Sequence, residues 1–247
     1  MRVLLMSAKR QRPVKTARSK MSKQPVKHTA AKPSKSGVTG QVRIIGGQFK
    51  RQLVPFIDAD GLRPSPDRLR ETLFNWVQFE LHDATVLDLC AGSGALGFEA
   101  LSRGAHYVTF IELQPKQAAL LGQTAERLKL PASSLAVHVG DALSLIPTLA
   151  LKHRAASVAE QTNLQSSDNA FGYHLVFVDP PYDLELWVPL LTALIENKLV
   201  NKHTLFYLED RREISQTLQG LAYNYTLLKE TKMGQIFASL IQVQIEA

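Results

Sequence analysis

Thr85-Val86-Leu87-Asp88-Leu89-Cys90-Ala91-Gly92-Ser93-Gly94-Ala95-Leu96-Gly97 is the stretch that decides the fold. Its first five residues are an apolar run interrupted by a single carboxylate, which reads as a strand buried on both faces. Gly92 and Gly94 supply a tight turn, because glycine takes positive φ without steric penalty. Ala95 to Leu101 then reads as a helix. Strand, glycine turn and helix in this order open a βαβ unit, and parallel sheets of that kind hold their ligands at the carboxyl ends of the strands.

Outward from that unit the alternation continues. Tyr107-Val108-Thr109-Phe110-Ile111-Glu112 is a second strand, followed by a helix over Pro115 to Leu128. Leu135 to Val139 is a third strand, closed by Gly140-Asp141-Ala142, and His174 to Val178 a fourth. A helix over Leu186 to Glu196 leads to a fifth strand, Thr204 to Leu208. Tyr225 to Lys229 and Ile236 to Ile245 bracket Lys232-Met233-Gly234 as an antiparallel hairpin. The polar residues between Lys152 and Gly172 read as a loop insertion.

Upstream, Val42 to Ile45, Gly46-Gly47 and Gln52 to Val54 predict two short strands joined by a turn that displays Lys50 and Arg51. From Asp67 onward, Leu69, Leu73, Trp76 and Val77 form the apolar stripe of a helix, with Arg68 and Arg70 on the opposite face. The expected fold class is α/β: a mostly parallel sheet with a C-terminal antiparallel hairpin over 81–247, a small hairpin-and-helix extension over 41–80, and a basic tail over 1–40.

At 247 residues and 45% hydrophobic, the chain can bury one substantial core with an appendage. Its single cysteine, Cys90, excludes a disulfide framework, a Cys-rich zinc site and an iron-sulfur cluster held within one chain. No apolar run reaches the roughly 20 residues that span a bilayer. The expectation is a monomer in a reducing, cytoplasmic compartment with no membrane partner. Charge is divided unevenly: residues 1–57 hold 14 Lys and Arg and no acid, leaving 15 basic against 22 acidic residues in the rest. A head of +14 on a body of −7 points to a polyanion such as nucleic acid. Such a head also has the composition of a solvated tail or of an organellar transit peptide, though with little amphipathic periodicity.

Two sets of residues carry chemistry. Gly92-x-Gly94-x-x-Gly97 with Glu112 twenty residues after Gly92 fits a dinucleotide site. Three carboxylates at successive strand ends favour another ligand. Asp88 can hold an amino acid ammonium, Glu112 two ribose hydroxyls, and Asp141 an adenine amine beside the N–H of Ala142. With Ala91, Gly92, Gly94 and Leu113 they describe a pocket for an adenosine joined to an amino acid, and S-adenosylmethionine is the natural candidate. Each acid has a plainer alternative: Asp88 as a helix cap, Glu112 as a solvated strand end, Asp141 as the start of a turn. The second set is Asp179-Pro180-Pro181-Tyr182, after the apolar strand Leu175 to Val178. Two prolines stop the strand and leave rigid carbonyl acceptors, with Tyr182 as a stacking surface. Together the two sets point to methyl transfer to a base amine.

Arg43-Ile44-Ile45-Gly46-Gly47, Leu62-Arg63-Pro64, Arg68-x-Arg70-Glu71-Thr72-Leu73-Phe74-Asn75-Trp76, the stretch from Leu87 to Ala100 and the Asp-Pro-Pro-Tyr resemble the bacterial 16S rRNA (guanine-N2)-methyltransferases of the RsmD type. The resemblance runs from about Gln41 to the C-terminus. It implies a Rossmann-like class I methyltransferase fold with a small N-terminal extension, S-adenosylmethionine as donor, and one guanine of small-subunit rRNA as acceptor. The implied partner is small-subunit rRNA or a 30S assembly particle, with ribosomal proteins. Cys90 in place of the usual Phe, the basic tail and the 152–172 stretch depart from the family pattern.

A guanine amine is a weak nucleophile because its lone pair is delocalised into the ring. The expected remedy is that the Asp179 side chain and the Pro180 carbonyl accept its two hydrogens while Tyr182 stacks on the base. Arg43, Lys50, Arg51, Arg63 and Arg68 are the expected phosphate contacts around an unstacked nucleotide. Other readings remain open on the residues alone. They are a DNA adenine-N6 or cytosine-N4 methyltransferase, a protein amine methyltransferase, an inactive basic RNA-binding assembly protein and, more distantly, a nicotinamide oxidoreductase.

Overall fold

In a computed structural model of the chain, residues 40–57, 64–160 and 172–245 are described, with 153–160 as backbone only. The expected basic tail up to residue 39, Arg63 and residues 161–171 lie outside the described residues. A short antiparallel pair comes first, β1 (Gly40–Arg43) with β2 (Leu53–Phe56), in the register Gly40 opposite Phe56 and Arg43 opposite Leu53. Helix α1 (Asp67–Trp76) follows, then the alternation β3 (Thr85–Asp88), α2 (Ala95–Ser102), β4 (Tyr107–Glu112), α3 (Pro115–Arg127), β5 (Leu135–Val139), α4 (Ala142–Glu160), β6 (Leu175–Val178), α5 (Trp187–Glu196), β7 (Leu205–Asp210) and the single turn α6 (Ile214–Thr217). A hairpin of β8 (Tyr225–Met233) and β9 (Ile236–Val243) ends the chain.

The seven strands from β3 onward form one sheet in the order β5-β4-β3-β6-β7-β9-β8. β3 to β7 are mutually parallel, and β9 enters antiparallel between β7 and β8. The chain leaves β3 toward β4 and β5, then returns to build β6 and β7 on the other side. That reversal opens a crevice at the carboxyl ends of β3 and β6, where open α/β sheets place their ligands. Because side chains alternate along a strand, the two sheet faces carry separate cores. Val86, Phe110, Phe177 and Tyr207 pack with α1, α2 and α3, whereas Leu87, Val176, Val178, Phe206 and Leu208 pack with α4 and α5. Phe177 makes edge contacts with Phe74 and Tyr207, both at 6.1 Å.

Beyond shifts at strand ends, such as β8 running through Lys232 and Met233 where a turn was expected, three corrections bear on the site. Residues 152–160, expected to open a loop insertion, continue helix α4. β7 runs on through Glu209 and Asp210, both buried, where the strand was expected to stop at Leu208. Arg70, expected on the polar face of α1, is fully buried. Its guanidinium donates to the Asp67 carboxylate at 2.6 Å and to the carbonyls of Arg43 and Ser65, and Nη1 lies 3.7 Å from Glu99. The long side chain thus serves as a tie between α1, β1 and α2. Among the described residues no helix is long and apolar enough to cross a membrane.

Candidate active site

The glycine turn between β3 and α2 is built as its composition requires. Gly92 and Gly94 take φ of 50° and 74°, and Gly94 N–H closes the turn on the Ala91 carbonyl. Gly97 has a packing reason instead: a Cβ there would lie 2.2 Å from the Phe110 ring, so the helix could not settle on β4. Asp88, at the end of β3, is buried and accepts from Gly97 N–H at 3.2 Å. It therefore does cap the first turn of α2, one of its plainer readings, and an anion is favourable there. Burial, with the nearby charge of Glu112, pushes its carboxyl up to about 7 despite that hydrogen bond.

Glu112, at the end of β4, is also buried rather than solvated. One oxygen accepts from Gly92 N–H at 2.8 Å and the other from Gln114 N–H at 2.7 Å. Burial raises its pKa, and those backbone donors hold the rise down. Leu113 beside it is 60% exposed, an apolar surface at the rim of the crevice. Asp141, after β5, is exposed and binds Ser144 through N–H and Oγ, both at 2.8 Å, capping α4. Ala142 is buried in the first turn of that helix. Cys90 faces this acidic corner, and burial with the surrounding carboxylates raises its thiol pKa, so it is no ready nucleophile.

Across the switch point stands the Asp-Pro-Pro-Tyr. Val178 pairs with Leu208 as the last step of the β6–β7 ladder, so Asp179 and Glu209 come one step beyond on adjacent strands. Among the described residues no hydrogen bond reaches the Asp179 carboxylate. Burial first, then the charges of Glu209 and Asp88, hold its pKa well above the usual carboxylate range. Pro180 is buried, and Pro181 leads a single 3-10 turn over Tyr182–Leu184. Tyr182 is half-buried, stacked on Trp187 at 6.0 Å, with the Arg211 guanidinium 5.3 Å from its ring centre.

Glu209 was not anticipated from the sequence. It is 2% exposed, and one of its oxygens accepts the hydroxyls of Ser65 and Tyr207, each at 2.7 Å. Burial raises its pKa too. The available signal was the Glu209-Asp210 pair closing the fifth strand, where a carboxylate after an apolar run matches the pattern of Asp88 and Asp179.

The expected phosphate contacts divide. Lys50, Arg51 and Arg68 are exposed, whereas the exposed Arg43 already pairs with Asp67 at 2.8 Å. The hairpin that carries Lys50 and Arg51 is fixed to α2. Ile45 and Gly46 N–H donate to the two oxygens of buried Glu99 at 2.6 and 2.8 Å, and Gln48 and Phe49 N–H donate to Ser102. Gly47, at φ 72°, lies so close to Ser102 that a Cβ would sit 1.8 Å from its carbonyl oxygen.

Residues 42–242 match a protein family described as conserved hypothetical protein 95. The chain belongs to that family. Ribosomal RNA small subunit methyltransferase D of Escherichia coli K12 is 36% identical over 211 residues, covering 85% of this chain and 94% of that protein. The protein of the same description from Haemophilus influenzae is 34% identical over 206 residues, 82% of this chain and 94% of that one. The solved structure of Escherichia coli yhhF is 33% identical with a TM-score of 0.66, covering 84% of this chain and 100% of that one. The fold is the Rossmann-like class I methyltransferase fold with an N-terminal extension. Within it, the Ile44-Ile45-Gly46-Gly47 and Arg70-Glu71-Thr72-Leu73-Phe74-Asn75 segments lie in the tie between extension and sheet, and the glycine turn and the Asp-Pro-Pro-Tyr line the crevice.

Proposed function

We propose that this protein transfers the methyl group of S-adenosylmethionine to the exocyclic N2 amine of one guanine in small-subunit rRNA, at its family's position in that RNA. Family membership supports the coarse reading, an rRNA methyltransferase. The finer reading rests on one observation: Asp179-Pro180-Pro181-Tyr182 at the carboxyl end of β6, beside the switch point, with a carboxylate that no donor among the described residues uses.

The residues of the crevice suit the donor electrostatically. S-adenosylmethionine carries an ammonium and a sulfonium, and Asp88 and Glu112 are carboxylates whose pKa values burial raises, so that a cation placed beside them would favour their ionised form. Asp88 would hold the ammonium and Glu112 the ribose hydroxyls. The exposed side chain of Leu113 and the N–H of Ala142 would border the adenine, whose amine Asp141 can accept with lone pairs left over from capping α4. When bound, the donor supplies an electrophilic methyl group on a cationic sulfur.

Asp179 and Pro180 act on the acceptor. The Asp179 carboxylate and the Pro180 carbonyl would each accept one N2 hydrogen, drawing the amine out of the ring plane and freeing its lone pair. Tyr182 would hold the ring. The nitrogen lone pair would be free to take the donor's methyl group, its electron pair replacing the methyl–sulfur bond, and Asp179 or water would take the extra N–H proton. In-line orientation near 3 Å can contribute several kcal/mol by itself. Asp179 accepts most strongly, and can take up the released proton, when ionised, and its raised pKa would be lowered by a sulfonium bound nearby. That predicts donor binding before productive seating of the base.

The test is transfer of labelled methyl from S-adenosylmethionine to small subunits from cells lacking this protein, followed by nucleoside analysis. The expected product is N2-methylguanosine confined to small-subunit rRNA. Label in DNA, in protein or in another nucleoside would overturn the proposal.

A further inference from the structure

Two arginines follow β7 and are used differently. Arg212 is held: Nε donates to the Asp210 carboxylate at 2.8 Å, Nη1 reaches Glu185 at 3.1 Å, and the guanidinium lies 5.4 Å from the Trp187 ring centre. With Asp210 also taking the Thr217 hydroxyl at 2.7 Å, this cluster fixes the loop to α6 and to the turn after β6. Arg211 has its backbone fixed by the same carboxylate, Asp210, at 2.6 Å. Its side chain is spare. It is 61% exposed, and its ion pair is a 3.9 Å approach to Asp183, itself 94% exposed. Such a pair contributes little to stability.

Where this spare cation stands is what gives it meaning. The ends of β6 and β7, with the loops after them, carry Asp179, Asp183, Glu185, Glu209, Asp210 and Glu213 against Arg211 and Arg212 alone. A polyanion bringing a base to Asp179 must pass this acidic rim, and Arg212 is already neutralised by two carboxylates. Arg211 lies over Tyr182, the residue on which the base would rest, at 5.3 Å from the ring centre. A planar guanidinium at that point can stack on an aromatic face while its N–H fork reaches a phosphate.

We infer that Arg211 is a substrate-binding residue: it leaves Asp183 and yields the Tyr182 face to the looped-out base, and takes that nucleotide's phosphodiester at the edge of the Tyr182 platform. The inference rests on the proposed function, and it adds a contact from the methyltransferase domain to those expected from the N-terminal extension. The Arg211 and Asp183 side chains are exchangeable partners by design of their exposure. A phosphate in place of the distant carboxylate gives shorter, charge-assisted bonds.

The experiment compares wild-type protein with Arg211→Gln and Asp183→Asn. Binding to small-subunit particles is measured in the presence of S-adenosylhomocysteine, across a potassium chloride series. Arg211→Gln is expected to weaken particle binding on the order of tenfold and to make the salt dependence shallower by about one ion, with S-adenosylhomocysteine affinity unchanged. KM for the particle should rise more than kcat falls. Asp183→Asn, which frees Arg211, should bind particles as tightly as wild type or more so. Equal affinity and equal salt slope for Arg211→Gln and wild type would overturn the inference, as would a loss in Asp183→Asn as large as that in Arg211→Gln. If Arg211→Gln loses S-adenosylhomocysteine binding, Arg211→Lys decides: charge retained with the wild-type salt slope supports the contact, and a slope as shallow as that of Gln refutes it. Wild-type protein that neither binds nor methylates the particles would instead break the proposed function itself.

Discussion

Glu99 and Asp179 are both carboxylates in contact-rich parts of the same domain, and they are served in opposite ways. Glu99 is fully buried and saturated: Ile45 and Gly46 N–H, Arg103 Nε at 2.7 Å and Arg70 Nη1 at 3.7 Å all converge on it. Asp179 accepts no hydrogen bond among the described residues, and its pKa stands well above the usual range because burial and like charges surround it. A charge kept for architecture is supplied with donors by the fold. A charge kept for chemistry is left short of them, so that a substrate can complete the set. The contrast separates two parts of the molecule, an anchor that seats the extension and an edge that would do the transfer.

Glu99→Ala should produce the larger effect, on stability. It takes from buried Arg70 its 3.7 Å acidic neighbour, leaving Asp67 as its ion-pair partner, and removes the acceptor of two backbone N–H groups at once. Removing one partner of a buried pair costs about 3–5 kcal/mol. Urea unfolding should report that loss, and a variant as stable as wild type would mean the anchor is ornamental. Asp179→Asn should do the reverse. Unfolding should change little, since no hydrogen-bond partner among the described residues is orphaned, while turnover on small-subunit particles should drop by about 10²–10³, the range for losing one transition-state contact. Donor affinity measured by calorimetry should persist. If Asp179→Asn loses stability and donor affinity together, the carboxylate belongs with Glu99 as a structural group and the contrast fails.

Legibility in the sequence followed the same division. β4 and β5 fell within the expected limits because each is an apolar run closed by a carboxylate or a glycine. The crevice acids were legible from their place at strand ends, although their second duties were visible only in three dimensions. Asp88 caps α2, Glu112 ties Gly92 to Gln114, and Asp141 caps α4. Arg70 departs from the expected polar face because its acceptors, apart from Asp67 on its own helix, come from other segments: the carbonyls of Arg43 and Ser65, with Glu99 of α2 nearby. α4 escaped notice because it begins with apolar residues on all sides, contains Pro147 and runs into a polar stretch, leaving no amphipathic stripe to detect. Glu209 was hidden by the same logic as Arg70: a buried charge whose partners, Ser65 and Tyr207, include one from a remote segment.

Asp88 sharpens the contrast with a smaller effect, since it lies between the two extremes. It has one backbone donor, Gly97 N–H, and burial still pushes its carboxyl up to about 7. In the free protein the group is therefore half protonated near neutrality. A raised carboxyl pKa means that the folded state binds protons better than the unfolded one, so this site's contribution to stability is lost as pH rises through about 7. An ammonium held by Asp88 prefers the ionised form and reverses that cost. Donor affinity should accordingly fall roughly tenfold for each unit below about 7, with proton release on binding near neutrality. Calorimetry in buffers of different ionisation heat measures both quantities. Asp88→Asn should bind the donor more weakly at pH 8 and abolish the slope below 7. A wild-type slope that survives in Asp88→Asn would assign the proton to Glu112, whose raised pKa has the same sign, and would move Asp88 to the structural side of the comparison as a cap for α2.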